Sequence, residues 1–306
     1  MQIKSKCVVN TIVVFFMIFT VVYLKYASTV IKYVQTGIKR NNEIIKFVDN
    51  NVEGEATDKH VIETLRRYHL QAPPMRNYNI AHTIPYDPSE GQTKILREIF
   101  ADKQDGIFVE CGAVDGVFLS NSLYLERALH WRGLLIEADE DNYNKLETHN
   151  RNAYISNTCI SPTNQAKVYV FESATHMKDQ YWWVKGTGKI AAGNSSKNYK
   201  RKFQVQCFPF YTFMLALNVT VIDYLSLDVE GSELEILKTI PYDTIEIKVI
   251  SVEWQHFNKE KIKETDLEEF LESKGYHQYL SENIELKPYE KIFIRNGVSL
   301  NHLKNR

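Results

Sequence analysis

The sequence predicts an α/β fold, one mostly parallel sheet with an antiparallel edge, preceded by a single transmembrane helix. Three observations predict it. Strand-like apolar runs alternate with helix-like segments from about residue 93 onward. Three of those runs deliver acids to their C-terminal ends, at Glu110, at Glu137 and at Asp228 with Glu230, which in an open α/β sheet is the ligand-binding edge. Residues 7–24 carry no charge and are dense in Val, Ile and Phe, long enough to cross a bilayer.

The elements follow in order. Residues 1–6 form a short tail ahead of the span, cytoplasmic in the type II orientation that the resemblance given below implies. The run at 7–24, about 18 residues, exceeds the roughly 7–15 of a cleaved signal core, and Tyr26-Ala27-Ser28 offers a poor cleavage site, so a retained anchor is expected. Basic residues flank it on both sides, leaving orientation open on charge alone. Residues 25–92 mix helical-looking stretches near 42–52 and 59–70 with the pairs Pro73-Pro74 and Pro85, Pro88, and read as a stalk. The catalytic-sized domain then spans 93–296, with a tail at 297–306.

Within that domain the pattern gives strands at 106–111, 134–137, 153–156, 167–171, 203–207, 221–227 and 245–252, and helices at 120–130, 140–150, 209–217, 232–240 and 266–274. Strands at 276–280 and 291–295 should close the sheet as an antiparallel edge pair, with Gly275 capping the helix before them. The segment 173–202 breaks the alternation. It carries Tyr181-Trp182-Trp183 and three glycines, and reads either as a substrate lid or as a plain insertion.

The turn Phe108-Val109-Glu110-Cys111-Gly112-Ala113-Val114-Asp115-Gly116 is the most informative stretch. Glycine lets backbone approach a ligand closely, and Glu137, ending the next strand, sits where ribose hydroxyls would lie. The spacing is not that of a pyrophosphate cradle. It suits S-adenosylmethionine, which has a ribose and a cationic sulfonium but no phosphate. The cofactor-binding candidates are Glu110, Gly112, Ala113, Asp115, Gly116, Asn121, Glu137 and Asp228.

With Ser120-Asn121-Ser122, Arg132 to Glu137, Cys159-Ile160-Ser161-Pro162, Cys207-Phe208-Pro209 and Asp223-Tyr224-Leu225-Ser226-Leu227-Asp228-Val229-Glu230-Gly231 added, the chain resembles FkbM-type methyltransferases over about residues 90–296, and within them the Star-like branch. The resemblance implies a Rossmann-like S-adenosylmethionine-dependent methyltransferase fold, a single-pass type II membrane protein of the endoplasmic reticulum and Golgi, and a lumenal domain. The chain departs from the pattern at Ser226, where many bacterial members look to carry a lysine.

Methyl transfer by in-line attack needs a base near the methyl. The catalytic candidates are Asp228, Glu230, Glu253 and His256, the last as readily a hydrogen-bonded structural residue. No cysteine or histidine spacing demands a metal, and none is expected. Cys159 and Cys207 could pair in an oxidising lumen, where Asn194 and Asn218 would also head usable glycosylation triplets. With 37 basic and 38 acidic residues the net charge is −1, which disfavours nucleic acid. The expected partners are the bilayer, through 7–24, and a small-molecule or glycan acceptor. The alternative is a non-catalytic secretory-pathway protein that helps membrane cargo move from endoplasmic reticulum to Golgi.

Overall fold

A computed structural model describes residues 50–173, 186–191, 201–254 and 264–298. The described residues from Val52 onward form one compact unit. In chain order its elements are β1 Gly54–Glu55, α1 Lys59–Thr64 running into a π-helical turn at Leu65–His69, α2 Gln92–Phe100, β2 Ile107–Cys111, α3 Leu123–Leu129, β3 Arg132–Ile136 and α4 Glu140–Thr148. There follow β4 Tyr154–Ser156, β5 Cys159–Ile160, β6 Gln165–Ser173, β7 Lys189–Ile190, β8 Arg201–Phe208, α5 Phe210–Leu217, β9 Val221–Leu227 and α6 Glu233–Thr239. The last are β10 Glu246–Glu253, α7 Glu264–Ser273, β11 Tyr276–Gln278 and β12 Glu290–Arg295.

The main sheet has seven strands in the order β11-β12-β10-β9-β2-β3-β4. The pairs from β10 through β4 are parallel, while β12 runs antiparallel to both β10 and β11, which is the expected antiparallel edge. Gly275 takes the left-handed φ of +82° after α7, as a helix cap requires. The strand order reverses between β2 and β9, so a crevice opens there at the C-terminal ends of the strands. Apolar side chains fill both faces. Val61, Phe210, Phe213, Ile236 and Leu267 pack on one side, and Ile95, Leu96, Leu125, Trp131 and Leu146 on the other. Burial on both faces explains why these strands read as continuous apolar runs.

Two expectations are corrected. One sheet does not hold all the strands, because β6 pairs antiparallel with β8 and lies with β1, β5 and β7 in a second sheet. A sequence shows that a run is a strand but not which neighbour it pairs with, since pairing register depends on partners distant in the chain. The segment from Val52 to Leu70, read as part of a stalk, packs into the core instead: Val61 and Leu65 are fully buried, and Gly54 and Glu55 add a strand to β6. No helix among the described residues is long and apolar enough to cross a membrane. The span expected at 7–24 and the segments 174–185 and 192–200 of the expected lid lie outside the described residues.

Candidate functional site

The crevice is floored by the turn after β2. Gly112 has φ +81°, and a Cβ there would lie 1.9 Å from the Asp228 carbonyl oxygen, so only glycine lets the ends of β2 and β9 close up. Asp115 holds the turn by accepting the Val117 and Phe118 N–H groups at 3.1 and 2.7 Å, and Gly116 completes it at φ +72°.

A pocket at this edge is lined by Gly112, Glu137, Asp139, Asn142, Thr158 and Asp228, among others. Gly112, Glu137 and Asp228 are thus brought together from three strands. Glu110, Ala113, Asp115, Gly116 and Asn121 are not among its lining residues. The Glu110 carboxylate accepts from the Asn121 N–H at 2.8 Å, from Ser120 Oγ at 3.0 Å and from Ser122 Oγ. It orders the loop leading into α3, where a ligand acid was expected. Asn121 donates its side-chain amide to Ser226 Oγ at 3.0 Å. In register, Glu110 stands beside Ser226 and Ser226 beside Ser251, so the residue that departs from the bacterial pattern belongs to a polar row across three strands.

Glu137 is buried and accepts the Val114 and Asp139 N–H groups, both at 2.7 Å. Burial pushes its carboxyl up to about 8 despite those two donors. A carboxyl raised in the folded state holds its proton there better than in the unfolded chain. Stability is therefore fullest below about 4.5 and falls as pH rises towards about 8. Urea midpoints at pH 5 and 8.5 should show that fall, and a 13C titration should place the Glu137 midpoint near 8. A midpoint near the ordinary carboxylate value would contradict the burial.

Asp228, Glu230 and Glu253 gather at the neighbouring strand ends, with ligand oxygens within 4.8 Å of one another. Such a cluster suits a cation, whether sulfonium, ammonium or metal, and no metal is assigned to it. Glu233 caps the loop between them, accepting the Val229 N–H at 2.9 Å and the Gly231 N–H at 3.0 Å. His256 lies outside the described residues.

Sequence reasoning missed Asp139, Asn142 and Thr158. Asp139 caps α4 by accepting from Asp141 N and Asn142 N, and an N-cap just past a strand-end acid is a signal the sequence did contain. It also missed Glu290, the first residue of β12, which pairs in register with Glu253. Burial, and next the charge of Asp228, push the Glu290 carboxyl up to about 8. Cys159 and Cys207 form a disulfide across the parallel pair β5–β8, with Cα atoms 4.4 Å apart. Cys111 is buried, and burial pushes its thiol up, consistent with a packing role.

The donor set fits S-adenosylmethionine: a strand-end carboxylate for the ribose, polar groups at the α4 cap for the base, and Asp228 for positive charge. The space is tight, with a cavity of about 40 Å³ against the several hundred, roughly 300–1,000 Å³, of typical ligand pockets. Phe171 and β7 help close it, and β7 pairs with β6 at Phe171 with Ile190 and Glu172 with Lys189, with the Ala191 N–H donating to the Val170 carbonyl at 2.8 Å.

Among solved structures the chain is similar to the methyltransferase FkbM from Methylobacillus flagellatus KT, at 16% identity and TM-score 0.40 over 69% of this chain and 48% of that one. It thus spans about half the length of that protein. It is similar to the METTL16 methyltransferase domain at 10% identity and TM-score 0.34, over 66% of this chain and 64% of that one. Precorrin-6y C5,15-methyltransferase from Geobacter metallireducens GS-15 aligns at 12% identity and TM-score 0.33, over 71% and 91%. No curated protein matches the chain. The Methyltransferase FkbM domain model matches residues 110–277, from Glu110 near the end of β2 to the edge strand β11, and the chain belongs to that family.

Proposed function

We propose that the chain is a membrane-anchored methyltransferase that uses S-adenosylmethionine to methylate an oxygen of an acceptor. One observation carries this reading: at the switch point of the sheet, Gly112, Glu137 and Asp228 converge on one pocket from three strands, within a domain of a methyltransferase family. The cofactor, when bound, supplies an electrophilic methyl on a cationic sulfonium. Glu137 would hold the ribose hydroxyls, Gly112 allows close approach of backbone, and Asp228 offsets positive charge. Asp228, Glu230 and Glu253 orient the acceptor or take up its proton, with His256 as a further candidate. Anchoring through 7–24 and a lumenal domain complete the proposal, supported by the uncharged run and by a disulfide, a bond that persists in oxidising compartments.

A second reading is a non-catalytic, Star-like secretory-pathway protein that assists transport of membrane cargo. It is favoured by the narrow cavity of about 40 Å³ and by a Glu137 carboxylate already engaged by two backbone N–H groups. Calorimetric titration separates the two. Saturable micromolar binding of S-adenosylmethionine, weakened at least tenfold by Glu137→Ala, is expected of the methyltransferase. Absence of binding by a demonstrably folded chain supports the transport reading.

A further inference from the structure

Asn218 ends α5 in the left-handed region, at φ 55°, with its N–H donated to the Leu215 carbonyl at 3.3 Å. Asparagine visits that region more readily than most residues, so the cap by itself accounts for Asn218. It does not account for Thr220, two positions on and just before β9. The Thr220 carbonyl accepts the Glu246 N–H at 2.8 Å, yet the residue is exposed and its hydroxyl bonds none of the described residues. The Asn218 carboxamide is in the same position: exposed, and without a hydrogen bond among the described residues. By contrast Asn79, Asn121, Asn150 and Asn157 all use their carboxamides to hold the fold together. The chain thus keeps Asn218-Val219-Thr220 on its surface as an asparagine-x-threonine acceptor triplet whose two polar side chains have no structural task. We propose that Asn218 carries an N-linked glycan; this rests on the lumenal placement of the domain proposed above.

A glycan is bulky and strongly hydrated, so a folded chain accommodates it only where the asparagine faces water. Asn218 meets that condition. The Cys159–Cys207 disulfide supplies a second, independent observation, because it marks the same oxidising compartment in which such glycans are added. The position also spares the proposed cofactor site. The seven residues of β9 separate the Asn218 turn from Asp228, which at roughly 3.3 Å per residue puts the glycan about 20 Å from the pocket, at the opposite edge of the main sheet. In the transfer, the Asn218 carboxamide nitrogen forms a bond to the anomeric carbon of a lipid-diphosphate-linked oligosaccharide. The anomeric carbon–oxygen bond breaks, its electron pair leaves with the lipid diphosphate, and one amide proton passes to a base of the transferring enzyme.

The test is expression of the full chain in eukaryotic cells, followed by peptide-N-glycosidase treatment. That enzyme releases the glycan and leaves aspartate in place of the glycosylated asparagine, so peptide mass spectrometry reads occupancy at position 218 directly. The expected result is conversion at Asn218 and a mobility step that Asn218→Gln removes. Thr220→Ala should remove the same step while leaving the left-handed cap intact, and Thr220→Ser, which keeps the hydroxyl, should retain it. Asn194→Gln, in the other triplet, should leave the Asn218 step in place. Protease added outside sealed microsomes separates the two ways of failing. An unmodified Asn218 in a domain that the vesicles protect overturns the proposal alone. Digestion of the domain overturns the lumenal reading and the proposal with it.

Discussion

Replacing Arg151 by methionine should cost about 3–5 kcal/mol of folding stability, the usual penalty for orphaning a buried charge. Arg151 and Glu126 are both fully buried, with guanidinium and carboxylate 3.0 Å apart. The guanidinium also donates to Ser122 Oγ at 2.9 Å, to Ser120 Oγ at 3.2 Å and to the Gly116 carbonyl. Glu126 in turn accepts the Asn152 N–H at 2.7 Å. Methionine fills the volume but leaves the buried Glu126 carboxyl without its guanidinium partner, and it releases the turn at Gly116 from the residue that holds its carbonyl. A control lies on the surface, where Arg97 and Asp102 pair at 2.6 Å with both side chains about half exposed. Arg97→Met should cost no more than about 1 kcal/mol. Urea unfolding of both variants measures the contrast, and equal losses would mean that the buried network carries no special weight.

Gly112→Ala should weaken binding of S-adenosylmethionine at least tenfold. The added Cβ meets the Asp228 carbonyl oxygen at 1.9 Å, and backbone cannot swing aside as a long side chain can. Relief requires the β9 end to move away from the β2 turn, which separates the two strand ends that form the pocket. A left-handed φ adds about 1–2 kcal/mol of strain for any L-residue. Gly297→Ala isolates that part, because Gly297 has φ +88° with nothing within 4 Å of its Cβ position. It should show the strain in a stability assay and leave cofactor affinity unchanged. Similar losses of affinity in both variants would detach Gly112 from the site.

Much of the main sheet was legible because its strands are short apolar runs bounded by acids, glycines and caps. The expected strand at 221–227 coincides with β9, and the antiparallel return of β12 followed from a helix stopped at Gly275. The second sheet was not legible, since strands of similar pattern fit either sheet and only long-range pairing decides. The helix α2 was missed as well, though it buries Ile95, Leu96 and Ile99. At the site, convergence of strand-end acids was readable, but the facing of each was not. On strands buried on both sides the usual polar alternation is lost, and Glu110 turned out to face the serines before α3. Asp223, part of the same motif, lies at the opposite end of β9 and pairs with Lys103 and Lys248 at 2.6 and 2.7 Å. Glu290 reaches the rim only through the antiparallel return of β12, about 60 residues beyond Asp228.

The most direct measurement is diffraction from crystals grown with S-adenosylhomocysteine. Density is expected between Glu137 and Asp228, with the ribose at the Glu137 carboxyl and the β7 strand displaced from its place over the pocket. A well-ordered structure with that pocket closed and unaltered at saturating ligand, or with the ligand held elsewhere, would contradict the assignment of this edge as a cofactor site.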